Sequence, residues 1–374
     1  MRSTKWVSVI AAAALTFGVA ACGSDDNDSS SGGSGSTSTA KASGGAKKIA
    51  LLLPESKTAR YESQDRPNFE AKLKELCPDC SIIYSNADQD AAKQQQQAEA
   101  ALTQGANVLV LDPVDGASAG AIVTRAKQSK VPVISYDRLI LNAEPDYYIS
   151  FDNEQVGKLQ GTALVDKLKQ DGKSGSIVMI NGAPTDNNAK LFKQGAHSVI
   201  DDSGLKVAKE YDTPDWSPDK AQSEMEQAIT AVGKNGFVGV YAANDGTAGG
   251  AIAAMKSNGV DPKKIPITGQ DAELAGIQRI VAGEQYMTVY KAIKAEAEAA
   301  ATLANDLAQG KTPDAATVNG KTDNGKLDVP SVLLKPVSVT VDNINDTIIK
   351  DGFWKASEIC TGRFAAGCKS AGIQ

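Results

Sequence analysis

The sequence predicts an α/β fold made of two Rossmann-like lobes, each built on a mostly parallel sheet. Three observations lead there. Short β-branched or aliphatic runs alternate with helical segments along most of the chain, the pattern of βαβ units with right-handed crossovers. The runs are continuously apolar rather than alternating, as in strands covered on both faces. The chain has 374 residues and more βα units than one open sheet holds, so two lobes divide them.

The N-terminus precedes that pattern. Arg2 and Lys5 lead an apolar stretch that runs from Trp6 to Ala21, which reads as a secretory signal over residues 1–21. Its end, Val19-Ala20-Ala21-Cys22-Gly23, resembles a bacterial lipobox, in which a peptidase cuts before the cysteine and a lipid is attached to its sulfur. Residues 22–46 are rich in Ser, Gly and Asp and hold almost nothing apolar. Such a segment cannot bury enough surface to offset chain entropy, so a flexible tether is expected. Removing residues 1–21 takes away Arg2 and Lys5 and no acidic residue, so the formal charge of −6 becomes −8. With no basic block, nucleic acid is excluded as a partner.

Cys22 apart, four cysteines remain: Cys77, Cys80, Cys360 and Cys368. An even number outside the cytoplasm suggests two disulfides. The local pairs Cys77–Cys80 and Cys360–Cys368 are the simplest of three connectivities. A redox or zinc role for Cys77-Pro78-Asp79-Cys80 fits less well. The motif follows a helical pattern instead of opening a helix after a strand, and His197 is the only histidine.

From Lys47 the strand-like runs are 49–53, 81–84, 108–111, 131–135, 147–150, 177–180, 237–241, 265–268 and 287–290. Helical segments lie between them, at 68–76, 91–104, 117–128, 154–169, 189–200, 220–232, 247–258 and 272–282. Gln94 to Gln97 read as the wet face of a helix. The segment 147–153 is the first candidate for a crossing between lobes. A late strand, Pro330 to Val341, is expected to return to the second lobe. The expected division is 47–151 with 272–328 in the first lobe, 152–271 with 329–355 in the second, and a C-terminal tail over 356–374.

In open α/β sheets ligands bind beyond the C-terminal ends of the strands. Those ends carry Arg60 and Tyr61, Asp112, Asp137 and Arg138, Asp186 and Asn188, Trp216, Asn244, Asp271 and Lys291. Such a set suits a sugar. Each hydroxyl both donates and accepts, planar Asp and Arg groups can span neighbouring hydroxyls, and an aromatic face covers the C–H face of a pyranose. Enzyme signals are weak. There is no Walker A loop, no nucleophile elbow is expected, and His197 reads as a packing or surface residue inside a helix. No metal, cofactor or catalytic residue is expected.

With these residues in view, the sequence resembles the D-xylose-binding proteins of bacterial ABC transporters, within the type I periplasmic sugar-binding superfamily. The resemblance spans about Lys47 to Glu358. It is carried by Tyr136-Asp137-Arg138-Leu139-Ile140, by 147–153, by Pro184-Thr185-Asp186-Asn187-Asn188, by Asn244-Asp245-Gly246-Thr247-Ala248-Gly249-Gly250 and by Gly269-Gln270-Asp271-Ala272-Glu273. Met287 to Lys291 and Ile348 to Phe353 extend it. It implies two lobes joined by three hinge strands that close over one monosaccharide, and delivery of that sugar to the permease subunits of an ABC importer. Another pentose or hexose, or a sensing role in chemotaxis or signalling, is the alternative. Carried over by position, the ligand residues are Arg60, Asp137, Arg138, Asn188, Trp216, Asn244, Asp271 and Lys291, with Asp186 and Tyr61 of second rank. Tyr61 stands where a tryptophan is common in the family. The expected protein is a monomer held at the extracytoplasmic face of the membrane only by its N-terminal lipid.

Overall fold

The computed structural model describes residues 46–373. The signal segment, Cys22 and nearly all of the expected tether lie outside the described residues. The first lobe opens with five parallel strands: β1 (Lys48–Leu53), β2 (Ser81–Asn86), β3 (Val108–Leu111), β4 (Val133–Tyr136) and β5 (Tyr147–Phe151). Helices α1 (Arg66–Leu76), α2 (Ala91–Thr103) and α3 (Gly120–Gln128) cross between them. Strands β1 and β3 are apolar at almost every position and buried throughout except Lys48, because helices cover both faces of the sheet.

The chain crosses after Phe151, and Asp152 caps α4 (Asn153–Gln170) by accepting from Gln155 N at 3.0 Å. The second lobe continues with β6 (Ser176–Asn181), α5 (Asn187–Ile200), β7 (Lys206–Asp212), α6 (Pro218–Val232), β8 (Gly239–Ala242), α7 (Asp245–Ser257), α8 (Leu274–Val281) and β9 (Met287–Tyr290). Strands β7, β6 and β8 form a parallel sheet in that order. The expected strand at 265–268 contracts to a single bridge between Val240 and Ile267. Bonds from Tyr286 N to Ile267 O and from Val289 N to Gly269 O still carry the layer on to β9.

After β9 the chain returns to the first lobe as α9 (Ile293–Ala308), which packs on α1. Strands β10 (Gly320–Asp323) and β11 (Asp328–Leu334) complete a seven-stranded sheet in the order β10-β11-β5-β4-β3-β1-β2. Strand β12 (Val337–Thr340) crosses back and pairs antiparallel with β9. The chain ends in α10 (Ala356–Ile359) and α11 (Ala365–Ser370).

This corrects the expected division in three places. The late strand is two strands in two lobes: Val329 and Val332 of β11 pack under the first sheet, and Val339 of β12 under the second lobe. They part at Lys335-Pro336, where proline offers no N–H to continue a ladder. Residues 272–290 belong with the second lobe, because α8 buries Ile277, Ile280 and Val281 against Tyr290, Val339 and Ile344. The tail is not separate either. Ile359, Cys368 and Ile373 are buried in that same cluster. Three crossings therefore join the lobes, near 151–152, 291–292 and 335–336.

Smaller differences follow from packing. Gln94 is buried, not wet. Its Nε2 donates to Asp112 O at 2.7 Å and its Oε1 accepts from Val114 N at 2.9 Å. Cys77 is bonded to Cys80 and Cys360 to Cys368. His197, on α5, lies between Asp201 at 3.0 Å and Glu210 at 3.1 Å, which fits a packing role.

Candidate functional site

The strand ends of both lobes converge on one small cavity. All ten expected binding residues line it, joined by Thr58, Phe192 and Gln270. Arg60 and Tyr61 follow β1, and Asp137 and Arg138 follow β4. Asp186 and Asn188 open α5, Trp216 follows β7, Asn244 follows β8, and Lys291 follows β9. Each follows the C-terminal end of a strand in the chain.

The lobes meet across the cavity. Arg138 Nε, from the first lobe, is 3.1 Å from Asp186 Oδ2 of the second. Asn188 Nδ2 donates to Asp137 O at 2.9 Å, and Gly116 N donates to Thr185 O at 3.2 Å. Ala59 N donates to Glu273 Oε1 at 3.3 Å.

Three buried cations organise the site. Arg60 grips Asp65 with two bonds, Nε at 3.0 Å and Nη2 at 2.8 Å, and lies 3.3 Å from Glu296 and 3.5 Å from both Asp137 and Asp271. Lys291 is 3.2 Å from Asp271 and 3.6 Å from Asp137. Arg138 faces Asp186, Glu55 at 3.4 Å and Asp112 at 3.7 Å. These are its close partners, and it pairs with neither Asp137 nor Asp271.

Carboxylates outnumber cations here, and a buried unpaired charge is costly. The network resolves this unevenly. Burial alone would raise the Asp137 carboxyl, but Arg60, Lys291 and Arg138 outweigh it and hold it well below the usual range. Burial wins at Glu296 and at Asp112, whose carboxyls lie well above the usual range. Both oxygens of Asp112 and Oε1 of Glu296 lack a hydrogen-bond partner. Asp137 and Asp271 both face the cavity.

The aromatic side is Trp216. It is buried, its Nε1 donates to Asp186 Oδ2 at 3.1 Å, and Phe192 meets it edge-on at 6.3 Å between centroids. It therefore also packs in the core of the second lobe. A Cβ on Gly182 would lie 2.0 Å from the indole, so only glycine leaves room for it. Tyr61 donates to Asp137 Oδ2 at 2.9 Å. Asn244 spends its Oδ1 capping α7 through Thr247 N at 2.8 Å. Asp137, Trp216 and Asp271 all adopt positive φ, at 52°, 53° and 87°. Residues with a Cβ avoid that region unless their surroundings impose it, and such strain gathers at functional sites.

Sequence reasoning missed several members. Gln270 and Glu55 follow strand-like runs and could have been weighed, and Asp112, one of the strand-end residues, was left out of the expected ligand set. Phe192 lies one helical turn beyond Asn188. Asp65 and Glu296 sit in helical stretches and carry no such signal. One string, Gly116-Ala117-Ser118-Ala119-Gly120, does have the G-x-S-x-G spacing, against the expectation of none. Its serine is exposed at the start of α3, where its hydroxyl faces Asp115 O, so it forms no nucleophile elbow.

Two closing lobes around a small polar cavity define a solute-binding protein. The chain belongs to the periplasmic binding protein family, whose domain matches residues 49–312, and it has the type I fold of that family. It is 42% identical to the D-xylose-binding periplasmic protein of Escherichia coli (strain K12), over 83% of this chain and 92% of that protein. It is 40% identical to the Haemophilus influenzae protein of the same name, over 82% and 90%. Among solved structures, an ABC transporter solute-binding protein from Clostridium phytofermentans with bound β-D-glucose superposes with a TM-score of 0.76 at 29% identity. That match covers 84% of this chain and all of the other. These relatives are transport binding proteins, and this chain is likewise not an enzyme.

The network yields a stability prediction. Arg138→Met strips Asp186 and Glu55 of their shared cation and should lower unfolding stability by about 3–5 kcal/mol at neutral pH. Burial already raises the Asp186 carboxyl against the pull of Arg138, and without the cation it binds its proton more readily still when folded, so the deficit should shrink as pH falls towards 5. Urea unfolding of wild type and variant across pH 5–8 measures this. A deficit that stays constant or grows on acidification contradicts the assignment.

Proposed function

We propose that this chain captures a monosaccharide, D-xylose, outside the cytoplasm and delivers it to the permease of an ABC importer. The observation that carries the reading is the lining of the cavity. The Asp137 and Asp271 carboxylates, set against Arg60 and Lys291, face the same small space as the Trp216 indole. Carboxylates accept from ring hydroxyls, the cations and Asn244 Nδ2 donate to ring oxygens, and the indole covers a C–H face. Closure removes the sugar from water, which strengthens each bond and gives the permease a distinct shape to sense. Relatives at 40–42% identity named for D-xylose support the choice of sugar. Glucose is the second reading, favoured by solved neighbours with bound glucose at 29–30% identity.

The site residues in this proposal are Arg60, Asp137, Arg138, Asn188, Trp216, Asn244, Asp271 and Lys291. Tyr61 and Asp186 act one step back, Tyr61 through Asp137 and Asp186 through Arg138 and Trp216. Calorimetric titration of D-xylose, D-glucose, D-ribose and L-arabinose into the domain starting at residue 46 tests the reading. D-xylose should bind most tightly. Trp216→Ala should cost about 1 kcal/mol or more, and Asp271→Ala about 2–5 kcal/mol, since it leaves buried donors unpaired. Absence of heat with D-xylose from folded wild type sinks the sugar assignment. Wild-type affinity in both variants sinks the site.

The chain acts as a monomer, anchored by lipid at Cys22. The support is the lipobox-like Val19-Ala20-Ala21-Cys22-Gly23 followed by the Ser/Gly-rich stretch. A single acyl chain binds membranes only marginally, so the anchor carries more than one. Cys22→Ser should move the protein from the membrane fraction to the soluble extracytoplasmic fraction. A variant that still sediments with membranes contradicts the anchor.

A further inference from the structure

Asp245 does not line the cavity, yet its carboxylate is fully buried. Oδ1 accepts from Gln285 Nε2 at 2.6 Å. Oδ2 accepts from Glu273 N at 2.9 Å and from Thr288 Oγ1 at 3.1 Å. Asp245 N donates to Gln270 O at 3.0 Å. Thr288 Oγ1 in turn accepts from Ala272 N at 3.2 Å. One residue thus holds the loop at 270, 272 and 273, on both sides of Asp271.

The loop needs that hold. Asp271 and Ala272 are consecutive residues at positive φ, 87° and 51°, a conformation unfavourable for side chains with a Cβ. Released, the pair would relax, and the Asp271 carboxylate would leave its place 3.2 Å from Lys291 and 3.5 Å from Arg60. The surroundings are fitted to the carboxylate. A Cβ on Gly269 would lie 2.1 Å from Asp245 Oδ1, and one on Gly276 2.2 Å from Oδ2. Arg279 donates from Nη2 to Asp245 O at 2.6 Å and from Nε to Gln285 Oε1 at 3.0 Å. That second bond fixes the Gln285 amide with its nitrogen towards Asp245. No cation lies within salt-bridge distance of the Asp245 carboxyl among the described residues, and burial pushes the group up to about 7, with Arg279 opposing. An apolar side chain would fill such a place more cheaply if packing were the only demand.

We infer that Asp245 is a positioning residue for sugar binding, which holds the strained Gln270–Glu273 loop so that the Asp271 carboxylate stands ready in the cavity. The inference rests on the reading of Asp271 as a sugar acceptor. A role in stability alone would lower affinity whether or not residue 271 carries its carboxylate. A positioning role vanishes once that carboxylate is gone.

The test is a D-xylose titration of wild type, Asp245→Asn, Asp271→Asn and the double variant, with a thermal melt of each. Asp245→Asn sets an amide N–H against the donors of Gln285, or against Glu273 N and Thr288, and should raise Kd about tenfold or more. Added to Asp271→Asn it should raise Kd by less than about twofold. Pairing Asp245→Asn with Gln285→Glu lets the new amide nitrogen donate to the new carboxylate, which Arg279 still meets. That pair should return Kd to within about threefold of wild type. Losses at 245 and 271 that multiply in full, or wild-type affinity in Asp245→Asn, overturn the inference. If Asp245→Asn does not fold, Thr288→Val removes one bond to Asp245 and one to Ala272. It should weaken binding by about threefold, only while Asp271 is present, and an unchanged Kd overturns the inference. A wild type that binds none of the four sugars removes the functional reading beneath it, and is recognised because the variants are then not at issue.

Discussion

The structure turns on one buried electrostatic arrangement, the Asp137 and Asp271 carboxylates held between Arg60 and Lys291. Asp137 and Arg60 come from the first lobe, Asp271 from the second, and Lys291 from the crossing between them. None of the four tolerates burial alone, since each charge would lose its hydration with nothing in return. Arg60 meets Asp137 within the first lobe, and Asp271 joins them only when the lobes are closed. The same arrangement therefore forms the inter-lobe contact and the polar floor of the cavity.

Around it lie two kinds of support. Arg138 with Asp186, Asp112 and Glu55 joins the lobes on one side and, through Asp186, sets the indole nitrogen of Trp216. Asp65 and Glu296 hold the far side of the Arg60 guanidinium, on the face of α1 and α9. Burial raises the carboxyls of Asp112 and Glu296 well above the usual range, which lessens the negative charge the interior must carry. The supports cost stability in desolvation, and their return is geometry, because a sugar's hydroxyls are discriminated by where fixed donors and acceptors stand.

Much of this was legible in the sequence, for a physical reason. A parallel sheet delivers every strand's C-terminal end to one edge, so residues that follow apolar runs are brought together without knowledge of their contacts. Asp137, Arg138, Trp216, Asn244, Asp271 and Lys291 were found in that way, and the family resemblance ranked them. The rest was hidden because it depends on packing. Asp65 and Glu296 lie within helices, Gln94 turns inward from a run of four glutamines, and the positive φ of Asp137, Trp216 and Asp271 has no local signature such as glycine. The crossings at 291–292 and 335–336 were misplaced because α8 and β11 choose their lobe by the apolar cluster they complete, not by position along the chain.

A crystal structure of the protein with D-xylose tests the account at its centre. One sugar should occupy the inter-lobe cavity, with hydroxyl oxygens about 3 Å from carboxylate oxygens of Asp137 and Asp271 and one ring face against the Trp216 indole. A sugar bound elsewhere, or one in the cavity that meets neither carboxylate, would contradict it.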